Sequence, residues 1–193
     1  KLKRIMDIVI SFLILILSVP ITILAATAIK IDSSGPIFFR QERIGMTGKK
    51  FKIIKFRSMF KDAEKYTGPV WSQKGDPRVT RIGRFLRRFR IDEIPQMINV
   101  LKGEMSLVGP RPERPVFVEK LSQEIPYYPR RLKVRPGITG WAQVKHKYDE
   151  NIEDVKIKLR YDLFYIENMS LRMDFKILTR TIFVVLFGKG HYS

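Results

Sequence analysis

Two adjacent carboxylates, Asp92 and Glu93, follow a run of arginines and precede a proline in the segment RRFRIDEIP, residues 87–95. Nearby cations favour the ionised form of a carboxylate, and an ionised aspartate can attack phosphorus to form an acyl phosphate. Pro95 disfavours helix at the residue before it, which predicts a helix boundary where free N–H groups favour anions. The same residues also fit Asp92 as a helix N-cap and Glu93 in a surface ion pair, so both interpretations stay open here.

Arg111 stands between two prolines, Pro110 and Pro112. Because the prolines fix the backbone, Arg111 would lose less entropy on binding a ligand. Its guanidinium suits phosphate and carbonyl oxygens through paired hydrogen bonds. A stiff surface loop without a ligand is the alternative. Lys55 and Arg57, which follow a predicted strand, either bind phosphate or face water.

Composition restricts the remaining chemistry. Lys and Arg number 37 against 19 Asp and Glu, a formal net charge of +18. That charge indicates an anionic partner: nucleic acid, an anionic membrane surface or a phosphorylated small molecule. The chain has no cysteine and two histidines, which excludes disulfide scaffolds and thiolate zinc sites and gives a Ser-His-Asp triad little support. Walker A and G-x-G-x-x-G loops are absent. Carboxylates, lysines and arginines are left to do the chemistry.

An uncharged segment, residues 8–29, would form a helix about 33 Å long, enough for the ~30 Å hydrocarbon core of a bilayer. Pro20, with Ser18 two residues before it, predicts a kink or break in this helix. Basic residues flank the segment on both sides, and Lys and Arg prefer the cytoplasmic side of a membrane. This favours a re-entrant hairpin over a straight span. A signal peptide with a cleavage site near 26–28 is a further alternative.

The rest of the sequence predicts the elements that would position these residues. Apolar runs predict strands at 37–39 and 51–56, and breakers predict rigid turns at 109–112 and 135–137. Helical spacing predicts helices beginning at Arg81 and spanning 95–103, 154–168 and 174–187, with weak helical character at 62–66. The helix from Arg81 is basic and amphipathic, which suits a membrane surface or an ordinary core. The predicted fold class is α+β: an N-terminal re-entrant membrane helix hairpin, a small β-hairpin or sheet, and amphipathic interfacial helices packed on a compact helical domain.

Together these segments resemble the bacterial sugar transferases, also called monotopic phosphoglycosyl transferases. Six segments carry the resemblance: GPIFFRQ at 35–41, KFRSM at 55–59, DEIPQ at 92–96, LKGEMSLVGPRPE at 101–113, RPGITGWAQ at 135–143 and YDLFYI at 161–166. The resemblance covers nearly the whole chain. It implies transfer of a sugar-1-phosphate from a UDP-sugar to undecaprenyl phosphate, with release of UMP, as the first membrane step of glycoconjugate or exopolysaccharide assembly.

The resemblance also assigns roles to particular residues. Asp92 matches the family nucleophile, which forms a covalent phosphosugar intermediate, and Glu93 completes the acidic pair. Mg²⁺ is the implied cofactor, with Asp92 as its contact. The nucleotide and phosphate positions match five residues: Lys55, Arg87, Pro110, Arg111 and Pro112. The implied location is the bacterial inner membrane, with a re-entrant helix at 1–30 broken at Pro20 and a cytoplasm-facing catalytic domain at 31–193.

The chain departs from the family pattern at two places. The family breaks its membrane helix at a Ser-Pro dipeptide, but here Val19 precedes Pro20 and Ser18 stands one place early. His146-Lys147 stands where relatives often carry Gly-Arg, in a loop with an expected role in sugar recognition. Because the chain begins at Lys1, we expect a catalytic domain cut from a longer protein.

The resemblance leaves several features open: the sugar, for which a hexose is preferred over an N-acetylated sugar, the polysaccharide pathway, and a homodimer. Nucleic acid is not among the expected partners. Two competing hypotheses are a membrane-tethered, basic nucleic-acid-binding protein, supported by charge alone, and a non-catalytic membrane scaffold.

Overall fold

The computed structural model describes residues 1–65, 68–70, 75–146 and 152–186. It has eight α-helices within these ranges: α1 Leu2–Leu17, α2 Val19–Asp32, α3 Arg81–Arg88, α4 Met97–Lys102, α5 Pro115–Glu124, α6 Trp141–Lys145, α7 Ile152–Glu167 and α8 Leu171–Leu186. The strands are β1 Phe38–Ile44, β2 Lys50–Phe56, β3 Ser106–Val108 and β4 Gly137–Thr139. The chain is therefore a helix-rich mixed fold with two small sheets. Tyr66, Lys147 and Phe187, which fall within the sequence predictions, lie outside the described residues.

The N-terminal helices α1 and α2 meet at Ser18 with a bend of 61°. The break therefore falls at Ser18, the first of the two residues, Ser18 and Pro20, at which the sequence predicts it. Pro20 lies in the first turn of α2, where its missing N–H and fixed φ are tolerated. The Ser18 hydroxyl donates to the Leu15 carbonyl at 3.2 Å. A serine therefore lies at the break, one position earlier than the serine of the Ser-Pro dipeptide expected from the family.

Neither helix alone is long and apolar enough to cross a bilayer, and the same holds for every other helix among the described residues. Taken together, α1 and α2 meet the requirement of length and composition as one bent pair. Much of their surface is apolar and exposed. The most exposed apolar side chains are Leu2, Ile5, Leu17, Ile23, Leu24 and Ile31.

One face of α1 is polar and holds the helix against the rest of the protein. Asp7 is 2% exposed, and its carboxylate accepts hydrogen bonds from the Ser106 hydroxyl at 2.8 Å and the Leu107 N–H at 3.1 Å, both in β3. One turn earlier, Lys3 pairs with the buried Asp174 of α8 at 2.7 Å. A carboxylate is costly to bury unless it is hydrogen-bonded, so these contacts fix where α1 docks.

β1 and β2 form an antiparallel hairpin that runs in register from Phe38 opposite Phe56 to Ile44 opposite Lys50. Both predicted strands exist, but the first extends to Ile44 rather than ending at residue 39. The sequence analysis missed residues 40–44 of this strand, which are mostly polar. A half-exposed strand can carry polar residues and still pair through its backbone hydrogen bonds. The inner residues Phe51 and Ile53 pack on α4 and the segment that follows it.

The turn predicted at 109–112 follows strand β3, and the turn predicted at 135–137 leads into strand β4. The sequence predicted neither strand. β3 and β4 pair in parallel, with Ser106 opposite Gly137 and Val108 opposite Thr139. Each strand has three residues, too few for an alternating pattern to be visible. Gly137 is required at this crossing, because a Cβ there would collide with the backbone of Gly109.

The helix predictions are largely confirmed. Thr80 caps α3 by accepting from the Gly83 N–H at 2.9 Å, and α7 and α8 fall close to the predicted 154–168 and 174–187. The predicted 95–103 helix begins instead as a 3-10 helix at Ile91–Gln96, here called the acidic turn, and continues as α4. The prediction of helical character at 62–66 is wrong for 62–65, which form a turn with Asp62 at φ 58°. Helices α5 and α6 were not predicted.

We predict that Asp7→Ala lowers the free energy of unfolding by about 3 kcal/mol, because it leaves the buried Ser106 hydroxyl and Leu107 N–H of β3 without their acceptor. For a chain of this size that corresponds to a fall in melting temperature of roughly 6–12 °C. Thermal unfolding of the purified protein, followed by circular dichroism, measures it. Glu42→Ala is the matched control: its ion pair with Lys50 is exposed, so it should cost less than ~1 kcal/mol. Equal losses in both variants would contradict the assigned role of Asp7.

Candidate active site

A cavity of about 610 Å³ lies between the β1–β2 hairpin, the end of α3, the acidic turn and the segment after β3. Charged residues dominate the wall at its centre. Five of the residues singled out from the sequence line it: Lys55, Arg87, Asp92, Glu93 and Arg111. They come from separate parts of the chain, so the fold brings together what the sequence analysis had placed in independent motifs.

Glu93 is the centre of this charge cluster. Its carboxylate contacts the Lys55 ammonium at 3.1 Å and the Arg111 guanidinium at 3.0 Å through one oxygen, and the Arg90 guanidinium at 3.2 Å through the other. Burial opposes its ionisation, but the charges of Lys55, Arg111 and Arg90 outweigh burial and hold the pKa of Glu93 well below its usual range. Glu93 is therefore a buried anion and not the surface ion pair that the sequence left open.

Asp92 is buried beside Glu93 but differs from it in its contacts. Its carboxylate accepts no hydrogen bond from the residues that the structure describes. Burial and the neighbouring Glu93 charge raise the pKa of Asp92, while Lys55, Arg87 and Arg111 pull it back down. The two adjacent acids thus have different environments: Glu93 is held by cations, and Asp92 keeps its oxygens available at the wall of the cavity.

The local backbone explains why the two acids diverge. Arg90 has a left-handed conformation, φ 53°, which ends α3 and starts the acidic turn. The Glu93 N–H then donates to the Arg90 carbonyl at 3.1 Å. In a 3-10 turn, successive side chains lie about 120° apart, so adjacent acids point in different directions. Pro95 is buried within this turn, in agreement with the predicted helix boundary beside the acids.

Lys55 and Arg87 reach the cavity from two different elements, β2 and α3. Lys55 projects from β2, and burial lowers its pKa against the opposing effect of Glu93. Arg87 comes from the last turn of α3, and its Nε donates to the Ser58 hydroxyl at 2.8 Å. α3 can lie this close to Ser58 because Gly83 has no side chain: a Cβ there would collide with the Ser58 carbonyl.

Hydrogen bonds to its backbone carbonyls, together with its two prolines, fix the segment around Arg111. Arg131, 7% exposed, donates to the Arg111 carbonyl at 3.0 Å and pairs with Asp162 of α7 at 2.9 Å. Arg43 of β1 donates to the Pro112 carbonyl at 3.1 Å. Pro110 and Pro112 are themselves buried and line a small void of about 10 Å³ beside the main cavity, so they shape the loop while Arg111 alone faces the site.

The sequence analysis missed several residues that complete the site. Four of them line the cavity: Arg43, Glu64, Glu113 and Arg114. Arg114 and Glu64 form a two-pronged ion pair at 2.8 and 3.0 Å. The alternation of Phe39, Gln41 and Arg43 along β1 could have placed Arg43, but Arg114 and Glu64 stand in turns whose spacing carries no such signal.

The divergent loop at His146-Lys147 also reaches the site in part. His146 lines the cavity, and its Nε2 lies 3.7 Å from an Asp154 oxygen, while Lys147 is outside the described residues. Within those residues, no group of three or more His, Cys, Asp or Glu side chains could by itself hold a metal ion.

A concave site with basic side chains around one available carboxylate is typical of enzymes that act on anionic substrates through a nucleophile. The family profile described as Bacterial sugar transferase matches residues 1–188. The chain belongs to this family.

Individual relatives agree with that membership. The chain is 47% identical, over 98% of its length, to the UDP-N-acetylgalactosamine-undecaprenyl-phosphate N-acetylgalactosaminephosphotransferase of Aeromonas hydrophila. It is 46% identical, over 99% of its length, to the UDP-glucose:undecaprenyl-phosphate glucose-1-phosphate transferase of Escherichia coli (strain K12). It spans only 44% and 41% of these two proteins. The exopolysaccharide production protein PSS of Rhizobium leguminosarum bv. phaseoli is 40% identical, and the match covers 98% of both chains.

We predict that Glu93→Gln destabilises the protein by about 3 kcal/mol, because a neutral amide leaves three converging cations without their anion. Chemical denaturation without substrate measures this loss. Inorganic phosphate should restore part of it, since an oxyanion can take the place of the carboxylate between the cations. Glu119→Gln, an exposed position on α5, is the control and should leave the denaturation midpoint unchanged. A Glu93→Gln midpoint equal to that of the control would refute the clustering of charge around Glu93.

Proposed function

We propose that this chain is a phosphoglycosyl transferase that moves a sugar-1-phosphate from a UDP-sugar to undecaprenyl phosphate and releases UMP. The observation that carries the proposal is the pairing of an available Asp92 with a fully ion-paired Glu93 inside a basic cavity. The relatives named above bear the same substrate classes in their names, which supports the assignment.

In the first half-reaction, an Asp92 carboxylate oxygen attacks the phosphorus that carries the sugar. The bond from this phosphorus to the oxygen shared with UMP breaks, and UMP leaves with the electron pair on that oxygen. The product is a phosphosugar bound to Asp92 as an acyl phosphate. Lys55, Arg87 and Arg111 surround the reacting carboxylate and stabilise the charge that develops on the phosphoryl oxygens.

In the second half-reaction, a phosphate oxygen of the lipid attacks the same phosphorus. The bond to Asp92 breaks, the carboxylate is regenerated, and the lipid carries the sugar on a diphosphate. Glu93 does not react in this scheme. It holds Lys55, Arg90 and Arg111 in place, and its charge keeps Asp92 basic enough to attack.

Mg²⁺ belongs to the proposal as the expected cofactor. Mg²⁺ is usually held by one or two carboxylates together with substrate phosphates, so a protein site of three acidic ligands is not required. Asp92 is the carboxylate that fits this role, because Glu93 is occupied by cations. When bound, the ion would neutralise diphosphate charge and assist the departure of UMP.

The location proposed is the bacterial inner membrane, with α1 and α2 as a re-entrant pair and the catalytic part, from residue 31 onward, facing the cytoplasm. The bend of 61° and the exposed apolar side chains of both helices support it. So do the basic residues on both flanks, which a re-entrant path keeps on one side. The expected homodimer remains part of the proposal.

We predict that steady-state UMP release from a panel of UDP-sugars depends on undecaprenyl phosphate, Mg²⁺ and Asp92. Asp92→Asn should lower the steady-state rate by about a thousandfold or more, because an amide is a poor nucleophile. The donor that gives the highest rate names the sugar, which the relatives leave open between glucose and N-acetylgalactosamine. Mass spectrometry of the quenched protein should find the phosphosugar on wild type only.

Glu119→Gln is the control for this assay and should match wild type. A phosphosugar adduct on Asp92→Asn at the wild-type level would refute the role of Asp92. Salt-sensitive binding of generic DNA or RNA, without UMP release from any donor, would instead favour the nucleic-acid-binding hypothesis.

We predict a bell-shaped pH profile for kcat/KM. Asp92 must be ionised, so the rate rises as pH increases through its pKa, which burial and Glu93 raise above its ordinary value. Lys55 must be charged, so the rate falls as pH increases through its pKa, which burial lowers. In Lys55→Arg the alkaline limb should move to higher pH, because a guanidinium stays protonated, while the acidic limb stays in place. An unmoved alkaline limb would show that Lys55 does not set it.

A further inference from the structure

The cavity is polar at one end and apolar at the other, and the gradient follows β1. Phe39, Gln41 and Arg43 alternate along the strand, so their side chains share one face, and all of them line the cavity. In the hairpin register, Phe39 lies opposite Lys55 and Gln41 opposite Ile53. From Phe39 to Arg43 the strand rises about 13 Å, so the two ends are well separated.

The Arg43 end offers charges and hydrogen-bonding groups. Arg43 contacts Glu113 at 3.7 Å, and Arg114 is fixed by its ion pair with Glu64. Phe117 adds one aromatic surface there. A nucleoside diphosphate, which has a base, a ribose and two phosphates to satisfy, matches this end of the cavity.

The Phe39 end has an aromatic wall, which lies beside the charged Lys61 and Asp62. Phe38 is 42% exposed, Phe39 43% and Phe60 51%, and Pro36 and Met59 lie on the same wall. Large aromatic side chains that stay exposed together in a cavity indicate a ligand with an apolar surface. A sugar or a base is recognised through hydrogen bonds, and these aromatic side chains provide no hydrogen-bonding groups for either.

The Phe39 end is also joined to the membrane helices. The buried guanidinium of Arg57, next to Phe56 in β2, donates to the carbonyl oxygens of Ile29, Ser33 and Ser34. It thereby fixes the C-terminal end of α2 beside the aromatic end of the cavity. A ligand that leaves the cavity on this side meets α2, where Ile31 is 82% exposed.

We propose that Phe39 and Phe60 form a subsite for the isoprenoid chain of the lipid phosphate acceptor, with its phosphate directed at Asp92. This inference rests on the proposed function and goes beyond it, because it assigns opposite ends of one cavity to the two substrates. The lipid enters past α2 at the aromatic end, and the nucleotide occupies the Arg43 end.

The test separates the two half-reactions in the double variant Phe39→Thr/Phe60→Ser. The UMP burst from a UDP-sugar and Mg²⁺ without lipid should keep its wild-type rate and amplitude, because the donor does not use the aromatic end. The KM for undecaprenyl phosphate should rise about tenfold, which corresponds to ~1.4 kcal/mol. The rise should persist with geranyl phosphate, whose short chain needs no bilayer to reach the site.

Phe175→Ser is the matched control, since Phe175 on α8 is 55% exposed and lies outside the cavity wall. Its KM for both lipids should equal that of wild type. An unchanged lipid KM in the double variant, or the same rise in Phe175→Ser, overturns the subsite while leaving the proposed function in place. A loss of the UMP burst in the double variant also overturns it, because the donor would then need the aromatic end. Absence of a burst in wild type refutes the covalent step of the proposed function itself.

Discussion

The buried charge of Glu93 is the interaction on which the rest of the site depends. Its three partners come from β2, from the left-handed residue before the acidic turn, and from the proline-bounded segment after β3. A buried carboxylate is stable only when its charge is compensated, so the position of Glu93 fixes where these cations lie. The same arrangement sets the environment of Asp92. The charges of the cluster act on its pKa, but its carboxylate forms no hydrogen bond within the described residues.

A second set of buried polar contacts connects the N-terminal helices to that site. Asp7 of α1 fixes β3, and three residues after β3 the chain reaches Arg111. At the other end of the helix pair, Arg57, which directly follows β2, binds the C-terminal end of α2, two residues from Lys55. The helices α1 and α2 therefore contact the segments that carry Arg111 and Lys55, two of the cations around Glu93. Such coupling suits the proposed transfer to a membrane lipid, because the reacting groups would keep a fixed position relative to the helix pair proposed to enter the bilayer.

The sequence predictions failed where local pattern and tertiary context disagree. β3 and β4 have three residues each and are buried by neighbours distant in sequence, so they carry no periodic signal. Of the two residues predicted at the helix break, Ser18 lies at the bend and Pro20 in the first turn of α2, because proline is tolerated in the first turn of a helix. The open choice at Glu93, surface ion pair or buried anion, was decided by Lys55 and Arg111, which lie 38 and 18 residues away along the chain.

The sequence by itself determined the chemistry available: acids and cations without thiols, a net charge of +18 that calls for anionic partners, and an apolar N-terminal segment with a break. It also determined the longer helices and the hairpin, because their periodicity is local. Only the tertiary structure decided that Lys55, Arg87, Asp92, Glu93 and Arg111 line one cavity, and that adjacent acids have opposite environments. The polarity gradient between Phe39 and Arg43 likewise appears only once the hairpin faces that cavity. Burial and charge compensation depend on neighbours brought together by folding, and composition and spacing do not specify those neighbours.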